Sequence, residues 1–313
     1  MKLVVQIPCL NEEETLPLVL STIPKKIDGI DEIIVVVIDD GSTDKTIEVA
    51  KAHGVKMFVR HPARRGLGRS FQDGMYKALQ LGADILVNTD GDNQYPQEKI
   101  GDLVQPILAG KADIVVADRQ THTIDHFSPF KKFLQRVGSK VVNMAASTDI
   151  PDAASGFRAY SRDALFKLNP TTSFSYCMET IIQAGNKGLA ITSIPIKTNA
   201  KTRESRLFKS TREHVYKSAS AIVRAFIMYR PYVIFMTTGF VLLLVGLIPF
   251  ARYAIFALQH ERGSHIQSLL LGSILLIGSV LSFVLGVIAD LVRVNRILVE
   301  QNLEIAKRTR YGD

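Results

Sequence analysis

The sequence predicts an α/β fold with a mostly parallel sheet, followed by two membrane-spanning helices. Short apolar runs alternate with helical segments over residues 1–117, which is the pattern of successive βαβ units. Farther along, residues 231–251 and 266–289 contain no charged side chain. Each stretch matches the ~20 residues that a helix needs to cross a bilayer. Because only a short loop separates them, they predict a transmembrane hairpin.

The elements of the sheet are predicted from their apolar runs and from the period of the segments between them. The run at 32–38 is almost continuously apolar, as in a strand buried on both faces. The predicted strands are 3–7, 32–38, 56–59, 85–88, 113–117 and 190–196, and the predicted helices are 12–21, 43–52, 67–81, 97–109, 130–146 and 176–187. Asn11 and Glu14 resemble a capping box at the first helix. The polar segments 118–128 and 152–158 are predicted loops.

Positive charge is concentrated just before the first apolar stretch. The net charge is +8, and residues 201–230 hold eight basic against two acidic side chains. These are Lys201, Arg203, Arg206, Lys209, Arg212, Lys217, Arg224 and Arg230 against Glu204 and Glu213. Basic residues beside a membrane span favour the cytoplasmic side and anionic headgroups. We therefore expect an integral membrane protein whose residues 1–230 are cytoplasmic, at the plasma membrane of a prokaryote. No motif favours a nucleic-acid partner.

These patterns predict four regions: an α/β domain at 1–200, a basic juxtamembrane segment at 201–230, a hairpin at 231–291 and a cytoplasmic tail at 292–313. The two spans are about 231–256 and 266–289. Apolar residues at helical spacing within 206–229 favour a helix lying in the membrane interface, with a surface helix on the α/β domain as the alternative. Gly278, Ser282 and Gly286 recur every four residues and predict a homo-oligomer through the membrane helices; a coincidence on a lipid-facing surface is the alternative.

The acidic motif Asp90-Gly91-Asp92 follows the apolar run at 83–87. In an extended segment residues i and i+2 point the same way, so both carboxylates can face one cation. Hard cations such as Mg²⁺ take oxygen ligands and often share them with phosphates. The motif predicts a metal-assisted reaction on a phosphorylated substrate, although Asp-Gly is also a common turn dipeptide. Ligands of parallel sheets bind beyond the carboxyl ends of the strands, where this motif falls.

Together, several motifs resemble the family 2 glycosyltransferases of the GT-A, Rossmann-like fold. Within that family they resemble the polyprenyl-phosphate glycosyltransferases, the group that includes dolichol-phosphate mannose synthase. The resemblance covers essentially the whole chain. It is carried by Pro8-Cys9-Leu10-Asn11-Glu12, Ile38-Asp39-Asp40-Gly41-Ser42-Thr43-Asp44, Arg65-Gly66-Leu67-Gly68 with Gly74, Asp90-Gly91-Asp92-Asn93-Gln94 and Ser155-Gly156-Phe157-Arg158. Order and spacing make the set specific, and the terminal hairpin separates this group from soluble members.

The resemblance implies an inverting, metal-dependent transfer of a sugar from a UDP- or GDP-linked donor to a polyprenyl phosphate. Donor-binding residues would be Pro8, Asn11, Glu12, Asp39, Asp40, Gly41, Gly66, Arg69, Asp90 and Gly91. Either Asp39 or Asp40 would accept a hydrogen bond from the nucleobase. Asp90, Asp92 and Gln94 would hold Mg²⁺ or Mn²⁺ against the diphosphate, where charge grows as the glycosidic bond breaks. The predicted catalytic residues are Asp92, Arg119 and Asp152.

The predicted acceptor needs cations more than it needs a base. A phosphate monoester has its second pKa near 6, so a lipid phosphate arrives ionised, and arginine forks suit phosphate well. Arg119 stands where the related enzymes place an acceptor-phosphate arginine, and Asp152 resembles an acidic residue near the acceptor, as base or orienter. Further acceptor candidates are Lys132, Arg136, Ser139 and Arg206.

Three other functions remain as alternatives. One is a glycosyltransferase acting on another lipid or glycan. A second is a processive polysaccharide synthase, which the sequence disfavours because such enzymes use a Gln-x-x-Arg-Trp motif and this chain has no tryptophan. The third belongs to another class, a non-catalytic membrane scaffold with the same fold.

Overall fold

The computed structural model describes residues 1–121, 129–171, 176–200, 220, 231–259 and 266–312. The chain forms two compact units, Met1–Ile222 with Glu300–Asp313, and Val223–Val299. The strands are β1 Lys2–Cys9, β2 Glu32–Asp39, β3 Met57–Arg60, β4 Ile85–Asn88, β5 Ile114–Asp118, β6 Arg158–Ser161 and β7 Ile191–Pro195. The helices are α1 Leu16–Thr22, α2 Thr46–Ala52, α3 Leu67–Gln80, α4 Ile100–Leu108, α5 Pro129–Ala146, α6 Arg162–Lys167, α7 Tyr176–Asn186, α8 Pro231–Leu258 and α9 Ile266–Tyr311.

The seven strands form one sheet in the order β3-β2-β1-β4-β6-β5-β7. Every pairing is parallel except those of β6, which runs antiparallel to β4 and β5. The mostly parallel sheet predicted from the apolar runs is therefore confirmed. The centre of the sheet is buried from solvent, since Val4, Val5 and Val87 are completely buried. Because β1 lies between β2 and β4, the carboxyl ends of these three strands meet at one edge.

Two features of the sheet domain differ from the prediction. Residues 158–161 form strand β6 and α6 follows at once, whereas the sequence predicted only a polar turn near here. The predicted capping box at Asn11 and Glu14 is wrong, because α1 begins at Leu16 and its N-cap residue, Thr15, makes no side-chain cap. The backbone amides of residues 11, 12 and 13 instead donate to side chains between the end of β2 and the start of α2, namely Ser42, Thr46 and Asp44.

Strand β6 carries a buried arginine. Arg158 is completely buried and donates to four oxygens, the carbonyls of Ala153, Ser155 and Cys177 and the hydroxyl of Thr180. A buried charge is tolerated only when its hydrogen bonds are satisfied. Arg158 therefore ties the turn before β6 to helix α7, and it fixes the backbone that follows residue 152.

The last turns of α9 pack on the α/β domain through charged residues. Lys307 is buried, and its ammonium donates to the carbonyl oxygens of Leu168 at 2.6 Å and Leu165 at 3.2 Å. It also lies 5.4 Å from the centre of the Tyr76 ring on α3. Lys187 of α7 pairs with Glu300 at 3.0 Å. The segment from Glu300 onward is thus part of the domain that contains the sheet.

The buried lysine makes this packing sensitive to pH. Burial, followed by the nearby charge of Lys187, lowers the pKa of Lys307 from 10.5 to about 7. The folded state therefore binds fewer protons than the unfolded state between these values, and stability rises with pH across that window. We expect Lys307→Met to remove this slope in thermal unfolding of the full chain. An exposed control, Lys111→Met, should keep it, and an unchanged slope in Lys307→Met would contradict the assignment.

Helices α8 and α9 are long and apolar enough to cross a membrane, as the predicted hairpin requires. All three small residues of the predicted oligomer stripe face α8 of the same chain, and a Cβ on Gly278 would lie 3.6 Å from Leu242 Cδ1. The hydroxyl of Ser282 donates to the carbonyl oxygen of Phe235 at 2.8 Å, and a Cβ on Gly286 would lie 2.9 Å from the Cε of Met236. The stripe is thus used for packing within the hairpin, and the homo-oligomer stays a prediction. The helix predicted at 206–229 lies outside the described residues, except for residue 220.

Candidate active site

The acidic motif forms a tight turn immediately beyond β4. The amide group of Gln94 donates to Asp92 Oδ2 at 2.9 Å, and the backbone N–H of Gln94 donates to Asp92 Oδ1 at 3.2 Å. Asn93 adopts a left-handed conformation with φ of 57°, which asparagine tolerates better than most residues. The turn therefore groups Asp90, Asp92 and Gln94, the three predicted metal ligands, in one short segment.

The turn is held from two sides by residues distant in sequence. The Thr15 hydroxyl lies 2.7 Å from the carbonyl oxygen of Gly91 and 2.8 Å from Glu12 Oε2. On the other side, the Asn199 amide donates to the carbonyl oxygens of Asn93 and Tyr95 at 3.1 and 3.2 Å. Asn199 was not predicted, and nothing in its local sequence identifies it. The acidic turn is thus positioned by both ends of the α/β domain.

Glycine is required where the acidic turn meets β1. A Cβ on Gly91 would lie 3.1 Å from the Cys9 sulfur and 3.2 Å from Glu12 Cγ, closer than most real Cβ contacts. The buried thiol of Cys9 has its pKa raised well above 9.0 by burial and then by neighbouring carboxylates, so it stays neutral. Gly91 and Glu12, predicted from separate motifs, therefore pack against each other at the site.

The two acidic residues after β2 have different surroundings. Asp40 accepts the backbone N–H groups of Arg65 and Gly66 at 2.8 and 2.9 Å, and its Oδ1 lies 2.8 Å from His61 Nδ1. Its carboxylate is therefore occupied in shaping the loop before α3. Asp39 accepts the Ser42 N–H at 2.9 Å through Oδ1. Its Oδ2 lies 3.7 Å from the Nε of Arg60.

The loop before α3 approaches the β2 turn very closely. Gly41 has φ of +82°, and a Cβ there would lie 3.0 Å from backbone atoms of Ala63 and Arg64. Gly66 has φ of +94° at the start of α3. On α3, Arg69 pairs with Asp73 at 3.1 Å. Asp40 therefore fixes the backbone that leads to Gly66 and Arg69, both of which were predicted to bind the donor.

His61 joins this loop to α3. Its side chain is 2 % exposed, with Nδ1 2.8 Å from Asp40 and Nε2 3.1 Å from Asp73. An apolar residue in place of His61 would remove the polar contact that joins Asp40 to Asp73. We expect His61→Ala to raise the KM for a nucleotide-sugar donor by about 10-fold, equal to about 1.4 kcal/mol of lost binding. The KM for the acceptor should change little.

The matched control for that prediction is His53→Ala. His53 is exposed just after α2, and its ring lies 2.9 Å from the carbonyl oxygen of Val49 on that helix. Steady-state kinetics with each substrate varied in turn would separate the two KM values. Equal increases of both in His61→Ala would indicate a general loss of structure and would contradict a role confined to the donor side.

Arg119 and Asp152 form a two-pronged ion pair at the end of β5. Arg119 Nε donates to Asp152 Oδ2 at 2.6 Å, and a terminal nitrogen donates to Oδ1 at 2.9 Å. The Asp152 side chain is 3 % exposed and that of Arg119 is 17 % exposed. Burial opposes ionisation of Asp152, but the Arg119 charge and hydrogen bonds outweigh it and lower the pKa of that carboxyl. Arg119 and Asp152, which were predicted separately to act on the acceptor, are therefore bonded to each other.

Helix α5 supports this pair from behind. The hydroxyl of Ser139 accepts the N–H of Ala153, next to Asp152, at 3.2 Å. Ser139, predicted to bind the acceptor phosphate, thus forms a hydrogen bond to the backbone of the loop that contains Asp152. Arg136 is exposed and Lys132 is partly exposed on the same helix. The remaining acceptor candidate, Arg206, lies outside the described residues.

The donor-side turn and the Asp152 loop meet at Gly156. A Cβ on Gly156 would lie 3.5 Å from both carboxylate oxygens of Asp90. The N–H of Gly156 donates to the Tyr95 hydroxyl at 2.9 Å, and its carbonyl oxygen accepts from Asn88 at 2.9 Å. Asn88, Tyr95 and Gly156 are thus a buried polar link between the carboxyl end of β4 and the turn before β6. Asp90 and Arg119 both act electrostatically on the Tyr95 hydroxyl, so an acidic and a basic group lie near this link.

The side chains of the acidic turn can hold a hard divalent cation only if a bound substrate or water supplies the remaining metal ligands. Among the residues that the structure describes, no three His, Cys, Asp or Glu side chains converge to hold a metal by themselves. Asp90, Asp92 and Gln94 offer oxygens alone, the ligand type that Mg²⁺ and Mn²⁺ accept. Such ions commonly bind one or two carboxylates and take their other ligands from water and substrate phosphates.

Comparisons with known proteins agree with this geometry. The family model for glycosyl transferase family 2 matches residues 4–168, more than half of the chain. The chain is 29% identical over 213 residues to the UDP-N-acetylglucosamine–dolichyl-phosphate N-acetylglucosaminyltransferase of Methanococcus voltae, covering 61% of this chain and 83% of that protein. It is 28% identical over 231 residues to the polyprenol monophosphomannose synthase of Mycolicibacterium smegmatis, covering 70% and 86%.

A solved structure shares the fold. It is the glucosyl-3-phosphoglycerate synthase of Mycobacterium tuberculosis in complex with Mn²⁺, UDP and glucosyl-3-phosphoglycerate. It aligns with a TM-score of 0.54 and 23% identity, covering 72% of this chain and 78% of that one. At this identity the likeness supports the GT-A architecture and no more.

Proposed function

The chain belongs to glycosyl transferase family 2, and from that premise we propose that it transfers a sugar from a UDP- or GDP-linked donor to a polyprenyl phosphate. The phosphate oxygen of the lipid attacks the anomeric carbon of the sugar, and the bond from that carbon to the nucleoside diphosphate breaks. One displacement inverts the anomeric configuration. The products are a polyprenyl-phosphate sugar and a nucleoside diphosphate. Relatives named for this lipid class support the acceptor.

The observation that carries the proposal is the closeness of the two charged groups, since Asp90 lies beside Gly156 and both Asp90 and Arg119 act electrostatically on the Tyr95 hydroxyl that accepts the Gly156 N–H. The acidic turn is suited to a metal-bound diphosphate, and the Arg119–Asp152 pair is suited to a second phosphate. A sugar acceptor would need a base to remove its hydroxyl proton, whereas an ionised phosphate needs only to be held in place. An arginine fork at this point supports a phosphate acceptor.

On the donor side we assign the nucleobase contact to Asp39. The Asp40 carboxylate already accepts two backbone N–H groups and faces His61, which leaves it little capacity for a ligand. Pro8, Asn11 and Glu12 would line the nucleoside pocket. Asp90, Asp92 and Gln94 would hold Mg²⁺ or Mn²⁺, which when bound neutralises charge on the leaving diphosphate. Asp90 and Asp92 would also orient the diphosphate toward the acceptor side.

On the acceptor side we assign Asp152 as the orienter of Arg119. A general base works best with a pKa near the operating pH. Arg119 keeps the pKa of Asp152 below its usual 3.8, so its carboxylate is a weak proton acceptor. Its geometry instead sets the plane of the guanidinium. Lys132, Arg136 and Arg206 remain predicted additional cations for the lipid phosphate.

We propose the same membrane arrangement that the sequence predicts. Residues 1–200 would form the catalytic domain on the cytoplasmic side, and residues 201–230 would lie at the membrane surface. The hairpin at 231–291 would anchor the enzyme near its lipid substrate, at the plasma membrane of a prokaryote. A homo-oligomer formed through the membrane helices is tested by crosslinking in a native-like bilayer, where only monomers would contradict it.

The decisive experiment is incubation of purified protein and polyprenyl phosphate with UDP-glucose, UDP-N-acetylglucosamine and GDP-mannose in turn, with Mg²⁺ or Mn²⁺. Mass spectrometry of the lipid fraction should detect one lipid-phosphate hexose and identify the sugar. The anomeric configuration of the product should be opposite to that of the donor. Absence of a lipid-linked product with any donor would overturn the proposal, and transfer to a different lipid or glycan would support the alternative acceptor.

A further inference from the structure

Tyr95 directly follows the acidic turn, but its buried side chain reaches the backbone before β6. Its hydroxyl accepts the N–H of Gly156 at 2.9 Å, and its ring stacks on the Phe157 ring, with centres 5.2 Å apart and planes at 21°. Its own carbonyl oxygen accepts from the Asn199 amide, which also holds the acidic turn. One residue therefore contacts the donor side through its backbone and the acceptor side through its side chain.

The backbone that Tyr95 contacts is bonded to the segments that carry Arg119 and Asp152. The N–H of Ala117, two residues before Arg119, donates to the carbonyl oxygen of Phe157 at 3.0 Å. The N–H of Ser155 donates to the carbonyl oxygen of Asp152 at 3.3 Å. A shift of residues 155–157 would therefore move both members of the ion pair.

The two polar groups of Gly156 are held with different redundancy. Its carbonyl oxygen accepts from two side chains, the Asn88 amide at 2.9 Å and the Tyr176 hydroxyl at 3.1 Å. Its N–H donates to the Tyr95 hydroxyl, and a buried N–H that loses its acceptor is costly. Loss of the Tyr176 hydroxyl leaves Asn88 on the carbonyl oxygen, whereas loss of the Tyr95 hydroxyl removes the acceptor of the N–H.

The Tyr95 hydroxyl holds a position and does not transfer a proton. Burial raises the pKa of Tyr95 well above its usual 10, so the hydroxyl stays protonated at neutral pH. The charges of Arg119 and Asp90 act on it with opposite sign. The hydroxyl therefore lies within electrostatic range of a charged group from each side of the site.

We propose that Tyr95 is a positioning residue that sets the distance between the metal-binding turn and the Arg119–Asp152 pair, through its hydrogen bond to Gly156 and its stacking on Phe157. When a cation and a nucleoside diphosphate order the acidic turn, Tyr95 transmits that order to residues 155–157. The effect on turnover rests on the proposed function, whereas the link between the two segments does not. Misplacement of reacting groups by about 1 Å can cost about 10²-fold in rate.

Tyr95→Phe tests this role, because it removes the hydroxyl and keeps the ring. We expect kcat with polyprenyl phosphate to fall by about 10²-fold, while the KM for the nucleotide sugar stays within about 2-fold. The dissociation constant for Mn²⁺ with the nucleoside diphosphate should not change. A loss of donor affinity that accounts for the whole decrease would overturn the proposal.

Two tyrosine variants serve as comparisons. Tyr176→Phe removes a second hydroxyl that contacts Gly156, but only a small decrease in kcat is expected because Asn88 still holds the same oxygen. Tyr76→Phe, on α3 beneath Lys307, is the control and should alter no kinetic constant. Equal losses of kcat in Tyr95→Phe and Tyr176→Phe, at similar losses of thermal stability, would show a general loosening and would overturn the specific role of Tyr95.

Backbone hydrogen exchange gives a readout that does not need turnover. The full chain in nanodiscs is examined by mass spectrometry with Mn²⁺ and either UDP or GDP. Exchange should slow in peptides that cover 90–94 and in those that cover 153–157, and in Tyr95→Phe it should slow only at 90–94. Protection confined to 90–94 in the unsubstituted protein, or protection of both segments in Tyr95→Phe, would overturn the inference. If no donor gives any lipid product, the proposed function fails while hydrogen exchange still decides the link.

Discussion

Asp92→Asn is expected to lower turnover by at least about 10³-fold, because it removes one of two carboxylates available to a cation at the donor diphosphate. The substitution preserves size, and the remaining oxygen can still accept the backbone N–H of Gln94 that closes the turn. The Gln94 amide can rotate to keep its contact with position 92. The protein should therefore stay folded while the negative charge at the diphosphate site decreases by one unit.

The control for that result is Asp102→Asn. Asp102 is exposed on α4, the helix that follows the acidic turn, and it pairs with Lys99 at 2.8 Å. Both variants would be compared by lipid-product formation at several Mg²⁺ or Mn²⁺ concentrations, with thermal unfolding as a check on structure. A folded Asp92→Asn protein with unchanged turnover would contradict the role of Asp92. An unchanged cellular function in a variant without turnover would favour the non-catalytic scaffold.

The sequence predicts the sheet well because each buried parallel strand is a continuous apolar run that can be recognised without knowing its neighbours. Strand β4 is found at the predicted residues, and β2 differs by only one residue, since both are continuous apolar runs. The acidic turn is equally local, because Asp90 and Asp92 directly follow β4. Asp90 and Asp92 lie at the same edge of the sheet as Asp39 because parallel strands end on the same side.

The parts that sequence reasoning missed depend on partners distant in the chain. Strand β6 begins with Arg158, a residue that no strand pattern places in a core, and its burial is satisfied by oxygens as far away as Thr180. Asp40 is another example. Its motif predicts a ligand-binding carboxylate, but in the structure this carboxylate binds groups of the loop at 61–66. Asn199 holds the acidic turn from more than a hundred residues away. Such contacts depend on the folded geometry and produce no periodic pattern in the sequence.

Asp152→Asn is expected to reduce kcat/KM for the lipid phosphate by about 10²-fold while the KM for the donor changes little, because it frees Arg119 from its only two-pronged partner among the described residues. Removal of one member of a buried ion pair leaves the other charge uncompensated and also costs stability, about 3 kcal/mol in such cases. Asp149→Asn, three residues earlier on the exposed side of the loop, is the matched control and should alter neither quantity.

The pH dependence separates the two roles of Asp152. Because the folded-state pKa of Asp152 is depressed, its stabilising effect is present above the unfolded pKa near 3.8 and is lost as pH falls through the lower folded value. An orienting carboxylate therefore stays ionised throughout the neutral range, and the pH profile of kcat should keep its shape in Asp152→Asn. A base would instead lose one limb of that profile. In a double-mutant cycle with Arg119→Gln, an orienter predicts strongly non-additive losses, since either change breaks the same pair. Additive losses, or a missing pH limb, would show that Asp152 acts on the substrate directly.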